Sequence, residues 1–181
     1  MKHRPFFFGL LVFLFLLPLQ GEGVKVVIVH TSDAHGHIGP QPYPVSHRPA
    51  PVLLGGYPSL KTFLHQTKLN TYKEGGLPIW LDSGDFFQGT PIVSKTKGSC
   101  MVDFLNALSL VTTTLGNHDF DYGYVNLKKQ FSRANFPVVD CNIFEAASGR
   151  LIPWAKPYII IPFKGVKIGI IGITTPDSWR T

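Results

Sequence analysis

The 181-residue sequence predicts an α/β fold around a largely parallel central sheet, and three observations carry that reading. Short apolar runs suited to strands recur along the chain, and stretches with helical apolar spacing separate them. The first three runs each end in a polar turn that leads on toward a helix instead of a tight hairpin, as parallel strands require.

Val24 to His30 is apolar apart from Lys25, the composition of a strand buried on both faces. Thr31-Ser32-Asp33-Ala34-His35-Gly36-His37 follows as a polar turn. Prolines at 40, 42, 44, 49 and 51 predict an irregular loop over residues 39–51. From Gly56 to about Asn70, Leu60, Phe63, Leu64 and Thr67 recur at helical spacing. Leu77 to Leu81 is a second strand, leaving through Asp82-Ser83-Gly84-Asp85, and residues 86–98 are expected to be loop. A helix is predicted from Ser99, as N-cap, to Leu108, with Met101, Phe104, Leu105 and Leu108 on one face. Residues 111–115 form a third strand, followed by Gly116-Asn117-His118-Asp119-Phe120-Asp121. A helix over 124–134, a strand over 136–141 and a strand pair over 158–163 and 166–174, turning at Lys164-Gly165, complete the reading.

The amino terminus has a separate purpose. Lys2-His3-Arg4 precedes an apolar run from Phe6 to Leu17, Pro18 breaks it, and Gly21-Glu22-Gly23 offers a small-residue cleavage point. Residues 1–23 therefore read as a signal peptide, too short for a span of about 20 residues, and no later stretch is apolar enough to cross a bilayer. The mature chain is expected outside the cytosol: secreted, periplasmic or at a cell surface. Removing Lys2, Arg4 and Glu22 leaves 15 basic against 10 acidic residues, a charge of +5. These charges are scattered, with no basic stripe interleaved with aromatics, so nucleic acid is not an expected partner. Cys100 and Cys141 permit one disulfide, fit no metal spacing and read as free thiols.

Three successive strand exits carry groups able to hold metals. Asp33 and His35 stand two apart, which in extended backbone puts both side chains on one side. Asp85 follows Gly84 at the second exit, and a carboxylate there can bridge two cations. The third exit carries Asn117, whose amide oxygen can coordinate a metal, with His118 beside Asp121. Each set alone is also ordinary turn composition, and Asp82 is expected to cap backbone amides. In a parallel sheet, however, all three exits lie on one edge, so the groups converge.

Val29-His30-Thr31-Ser32-Asp33-Ala34-His35, Asp82-Ser83-Gly84-Asp85-Phe86-Phe87-Gln88-Gly89-Thr90 and Leu115-Gly116-Asn117-His118-Asp119-Phe120-Asp121 resemble the opening blocks of the 5′-nucleotidase family of calcineurin-like metallophosphoesterases. Segments 136–143 and 166–175 look like its later strands. The resemblance implies a four-layer α/β/β/α sandwich with two divalent ions (zinc, manganese or cobalt) and a separate carboxyl-terminal nucleotide-binding domain. It implies that Asp33 and His35 hold the first metal, Asp85 bridges both and Asn117 holds the second. His118, oriented by Asp121, would stabilise the phosphoryl group or assist the leaving group while a metal-activated water attacks a nucleotide phosphate ester. Asp119 stands where the family usually has an acidic residue and is expected to act behind the ligands at most. Phe86, Phe87 and Gln88 are expected to pack the loop, and His30, His37, His47 and His65 to be ordinary histidines.

The family's remaining ligands would lie beyond Thr181, and no histidine occurs after His118. Residues 24–181 therefore read as an amino-terminal part of the catalytic domain, inactive alone. The same fold would also serve a UDP-sugar hydrolase, a cyclic-nucleotide phosphodiesterase or an apyrase. A short secreted, non-catalytic binding protein is the alternative of another class.

Overall fold

The computed structural model describes residues 23–176 and 178, so the signal peptide predicted over 1–23 lies almost wholly outside the described residues. The chain is mixed α/β. Strands β1 (Val26–Thr31), β4 (Leu77–Asp82) and β5 (Thr112–Thr113) form a parallel sheet in the order β1-β4-β5. Thr31 pairs with Asp82, and Asp82 with Thr113, so all three strands end at one level. This register places the three polar exits side by side. Parallel bridges from Thr113 to Val138 and from Val139 to Lys156 carry the pairing onward, so the strand expected over 136–141 is reduced to isolated rungs.

The proline-rich segment is less irregular than predicted. Gln41–Tyr43 (β2) and Val52–Leu54 (β3) form a short antiparallel pair. Helix α1 (Tyr57–Lys73) packs on β4 and β1 with Tyr57 and Thr71 buried and Leu60 and Leu64 half-buried. Phe63, placed on that face by spacing, is exposed instead. The loop predicted over 86–98 contains α2 (Pro91–Thr96), which opens on a proline whose missing N–H would have gone unpaired there anyway. Helix α3 (Ser99–Ala107) is preceded by Gly98 in the left-handed region, so Ser99 is its first residue and not its N-cap. A Cβ at residue 98 would lie 2.4 Å from the Phe87 ring, which leaves room for glycine alone. Helix α4 (Tyr124–Phe131) and the antiparallel hairpin β6 (Tyr158–Phe163) with β7 (Val166–Ile171) follow, α4 and β7 each ending three residues before the expected 134 and 174.

The core lies where α3 and α4 meet the loop leaving β4. Phe86, Phe87, Met101, Val102, Leu105 and Leu127 are fully enclosed, and Phe87, Phe131 and Trp154 stack with centroids 5.5 and 6.0 Å apart. The loop that follows Asp85 is thus anchored by two phenylalanines, as expected of them. Strand β1 is not buried on both faces: Ile28 is 56% exposed. β1 has β4 as its one partner strand among the described residues, and α1 covers the opposite side.

Candidate metal centre

Beyond their last paired residues the loops after β1 and β4 continue to bond. Ser83 N–H donates to Thr31 O, Asp33 N–H to Gly84 O and His35 N–H to Asp85 O, each at 3.0 Å. The backbone here is not extended, as the sequence pattern had suggested. Asp33, His35 and Asp85 have φ of 54°, 43° and 62°, in the left-handed region. That conformation costs L-residues of the order of 1 kcal/mol or more each and persists where the surroundings over-determine it. The cross-loop bonds do so here. The packing of the turn on α2 adds to them: a Cβ on Gly36 would lie 2.3 Å from Val93, and one on Gly89 2.2 Å from His35 O.

Three donors converge as a result. His35 Nε2 lies 3.9 Å from Asp33 Oδ1 and 3.9 Å from Asp85 Oδ2, and one ligand atom from each of the three residues falls within 4.8 Å of the others. These gaps are too long for hydrogen bonds. Donors sharing an ion at about 2.0–2.2 Å stand roughly 3–4 Å apart, so the spacing suits a common cation. His35 Nδ1 is buried without a hydrogen-bond partner, leaving the ring held by the loop and not by a polar neighbour of its own. Two carboxylates and an imidazole form a donor set fitted to a divalent transition metal. It is the one such group among the described residues.

The third exit presses against this group from the other side. Gly116 is followed by a 3-10 turn over Asn117–Phe120. A Cβ on Gly116 would lie 1.9 Å from Asp85 Oδ1, and the N–H of His118 donates to that oxygen at 2.9 Å. Asp85 therefore turns one oxygen toward His35 and the other toward the 117–118 turn. Asn117 stands between two residues whose backbones both touch Asp85. The His118 ring meets that of His35 edge-on at 5.4 Å. His118 Nδ1 is 3.0 Å from Asp121 Oδ2, and this hydrogen bond holds the imidazole pKa above its ordinary value. All six residues singled out from the sequence thus belong to loops meeting at one edge of the sheet.

Other acidic groups work behind that edge. Asp82 accepts the N–H of Gly84 at 2.7 Å and the hydroxyl of Thr31 at 2.5 Å, the capping role expected of it. Burial pushes its pKa up to about 7. Asp119 is fully buried and accepts four backbone N–H groups, a larger part than its position suggested. Burial pushes its pKa up to about 6 against the pull of those amides. The signal was present in the spacing: in a tight turn residues 118 and 121 share a side, which sends 119 the other way. Asp140, also buried, accepts the amides of Asn142 and Ile143 and the hydroxyls of Thr114 and Thr174. It lies in segment 136–143, which reads only as a strand in the sequence, with no role given to this carboxylate. His30 pairs with Ser83 at 2.7 Å, while His37, His47 and His65 are exposed and outside the donor group.

Known proteins share this arrangement of strands and loops. The calcineurin-like phosphoesterase profile matches residues 26–178. A 5′-nucleotidase of Vibrio cholerae is 30% identical over 154 residues, covering 85% of this chain and 26% of that protein. The structure of a 5′-nucleotidase precursor from Thermus thermophilus superposes with a TM-score of 0.72 at 32% identity, over 84% of this chain and 29% of its own. That of the Haemophilus influenzae NAD nucleotidase superposes with a TM-score of 0.75 at 30% identity, over 86% and 27%. The chain spans about a quarter of the length of the curated relatives it matches. With its parallel sheet, aligned strand exits and matched profile, the chain belongs to the calcineurin-like phosphoesterase family.

Proposed function

We propose that this chain contributes part of the catalytic centre of an exported, metal-dependent nucleotidase that removes phosphate from nucleoside 5′-phosphates. The observation that carries the reading is the placement of Asp85, with Oδ2 facing His35 and Oδ1 facing the Asn117-His118 turn. Asp33, His35 and Asp85 would hold a first divalent ion, and Asp85 and Asn117 would contribute to a second. When bound, the ions supply Lewis acidity that neutralises phosphoryl oxygens and lowers the pKa of a water. His118, tied to Asp121 through Nδ1, keeps Nε2 for the substrate. In its protonated form it donates to a phosphoryl or leaving-group oxygen where negative charge grows. The names of the relatives, which are 5′-nucleotidases and an NAD nucleotidase, support a nucleotide substrate.

Residues 24–181 span about a quarter of the length of the nucleotidases they match, which supports metal binding without turnover by this segment alone. Lys2-His3-Arg4 and the apolar run after it support export, with a mature amino terminus near Val24. No helix of the described residues is long and apolar enough to cross a membrane.

Two measurements test the reading. Calorimetry with Mn²⁺ should detect binding by the chain that Asp85→Asn removes. A chimera in which residues 26–178 replace the matching segment of the Vibrio cholerae enzyme should release phosphate from AMP, and His118→Ala should abolish it. Preference for a UDP-sugar, a cyclic nucleotide or ATP over AMP would reassign the substrate. Metal binding with no turnover in any chimera would favour a binding protein. Phosphate release by residues 24–181 alone would overturn the claim of inactivity.

A further inference from the structure

The two exits that meet at Asp85 are joined from below by one carboxylate. Asp119 Oδ2 accepts the N–H of Asp85 at 3.0 Å and that of Gly116 at 2.9 Å, and Oδ1 accepts those of Phe86 at 2.8 Å and Phe87 at 3.3 Å. The amides of 85, 86 and 87 are consecutive and follow Gly84 and Asp85 in left-handed conformations, at φ of 88° and 62°. Successive N–H groups in such a turn form a concavity that binds anions. Here the anion is a side chain of the neighbouring exit, with no solvent exposure of its own.

Contact between the loops is close enough that small displacements would be felt. A Cβ on Gly84 would lie 2.3 Å from the N of Gly116 and 2.9 Å from Asp119 Oδ2. An ionised carboxylate is the side chain suited to this place, because it accepts at both oxygens and donates at neither. An amide in the same shape would turn an NH₂ group toward two backbone N–H groups.

We infer that Asp119 is a positioning residue for the metal centre: by gathering the amides of Asp85, Phe86, Phe87 and Gly116 it sets the Asp85 carboxylate against the Asn117-His118 turn. It touches neither ion nor substrate. It maintains the strained Asp85 backbone from which both oxygens reach their targets. The inference rests on the reading of Asp33, His35 and Asp85 as a metal site.

Co²⁺ is the probe, added alone to the full chain and followed by calorimetry and by its visible absorption. Asp119→Asn should weaken Co²⁺ binding roughly 10- to 100-fold, the range seen when partners behind metal ligands are removed, and should change the absorption envelope. Leu105→Ala, which opens a cavity in the core beneath the loop without removing any hydrogen bond of Asp119, serves as the control for lost stability. It should leave affinity and spectrum unchanged at a temperature where both variants are folded. Wild-type affinity and spectrum in Asp119→Asn would overturn the inference, as would equal loss in Leu105→Ala. Failure of the wild type to bind Co²⁺ would overturn the metal reading itself and the inference with it, and would be visible before any variant is made. If Asp119→Asn does not fold, amide exchange on the wild type decides. The four amides should exchange slowly as one set and be slowed together by Zn²⁺, whereas unrelated rates would overturn the proposal.

Discussion

The edge of the sheet where β1, β4 and β5 end differs sharply from the hairpin of β6 and β7. At the edge, buried carboxylates gather backbone amides, loops bond across one another, and three left-handed residues are held in place. On the hairpin, Tyr158 and Ile171 are cross-strand partners on one face, and both are more than half exposed with Ile160 beside them. The contrast shows that the donors are held by polar and backbone interactions between the strand-exit loops, set on the core packing of Phe86 and Phe87. Hydrophobic closure of the hairpin face contributes nothing to holding them among the described residues. The donor group is therefore expected to be preorganised whether or not that apolar face is covered.

The comparison can be broken most directly at Asp85. Asp85→Asn should abolish measurable divalent-metal binding, a loss beyond about 100-fold, because it removes the negative charge that faces both His35 and the 117–118 turn. Calorimetry with Mn²⁺ reads it, and retained binding would mean that the strand exits do not form a metal centre. Leu105→Ala should cost about 2–5 kcal/mol of stability in urea unfolding, as a fully enclosed side chain in a packed core. Metal affinity of the folded fraction should be unchanged if the hydrogen bonds between the loops, and not the core beneath them, fix the donors.

The buried carboxylates sharpen the comparison through pH. Folded Asp82 keeps its proton up to about pH 7, whereas its ordinary value is 3.8. Between those values the folded chain binds a proton that the unfolded chain has lost, so stability falls as pH rises from about 4 to about 7. Asp119 acts in the same direction up to about pH 6. The effect of Asp82 is on the order of 2–4 kcal/mol, and urea midpoints across that range should flatten in Asp82→Asn. Asp121→Asn should return the His118 pKa toward its ordinary value, read by NMR titration of the imidazole, because their hydrogen bond is the leading cause of the upward shift. The smallest effect belongs to the hairpin. Ile171→Thr should change stability by no more than about 0.5 kcal/mol while raising solubility, and a larger destabilisation would show that its face is packed after all.

Much of this was readable along the chain. Asp33, His35, Asp85, Asn117, His118 and Asp121 announced themselves because strand exits in a parallel sheet share an edge, and apolar runs with polar ends can be seen in one dimension. The hairpin turn and the helices α1, α3 and α4 followed from spacing in the same way. Helix α2 did not, since six residues between glycines carry too little periodicity to distinguish a helix from a loop. Nor did the exposure of Ile28, because an apolar strand reads alike at the centre and at the border of a sheet.

Local pattern, then, determined which residues gather at the candidate site and on which edge they stand, because alternation, turn chemistry and parallel connection are all properties of neighbours in sequence. The three-dimensional arrangement alone decided how those residues are held. The left-handed backbone at Asp33, His35 and Asp85 depends on hydrogen bonds between loops about 50 residues apart, and the Asp119 carboxylate reaches amides more than 30 positions away. Such bonds depend on distance in space, which the order of residues does not encode until the sheet has aligned its ends.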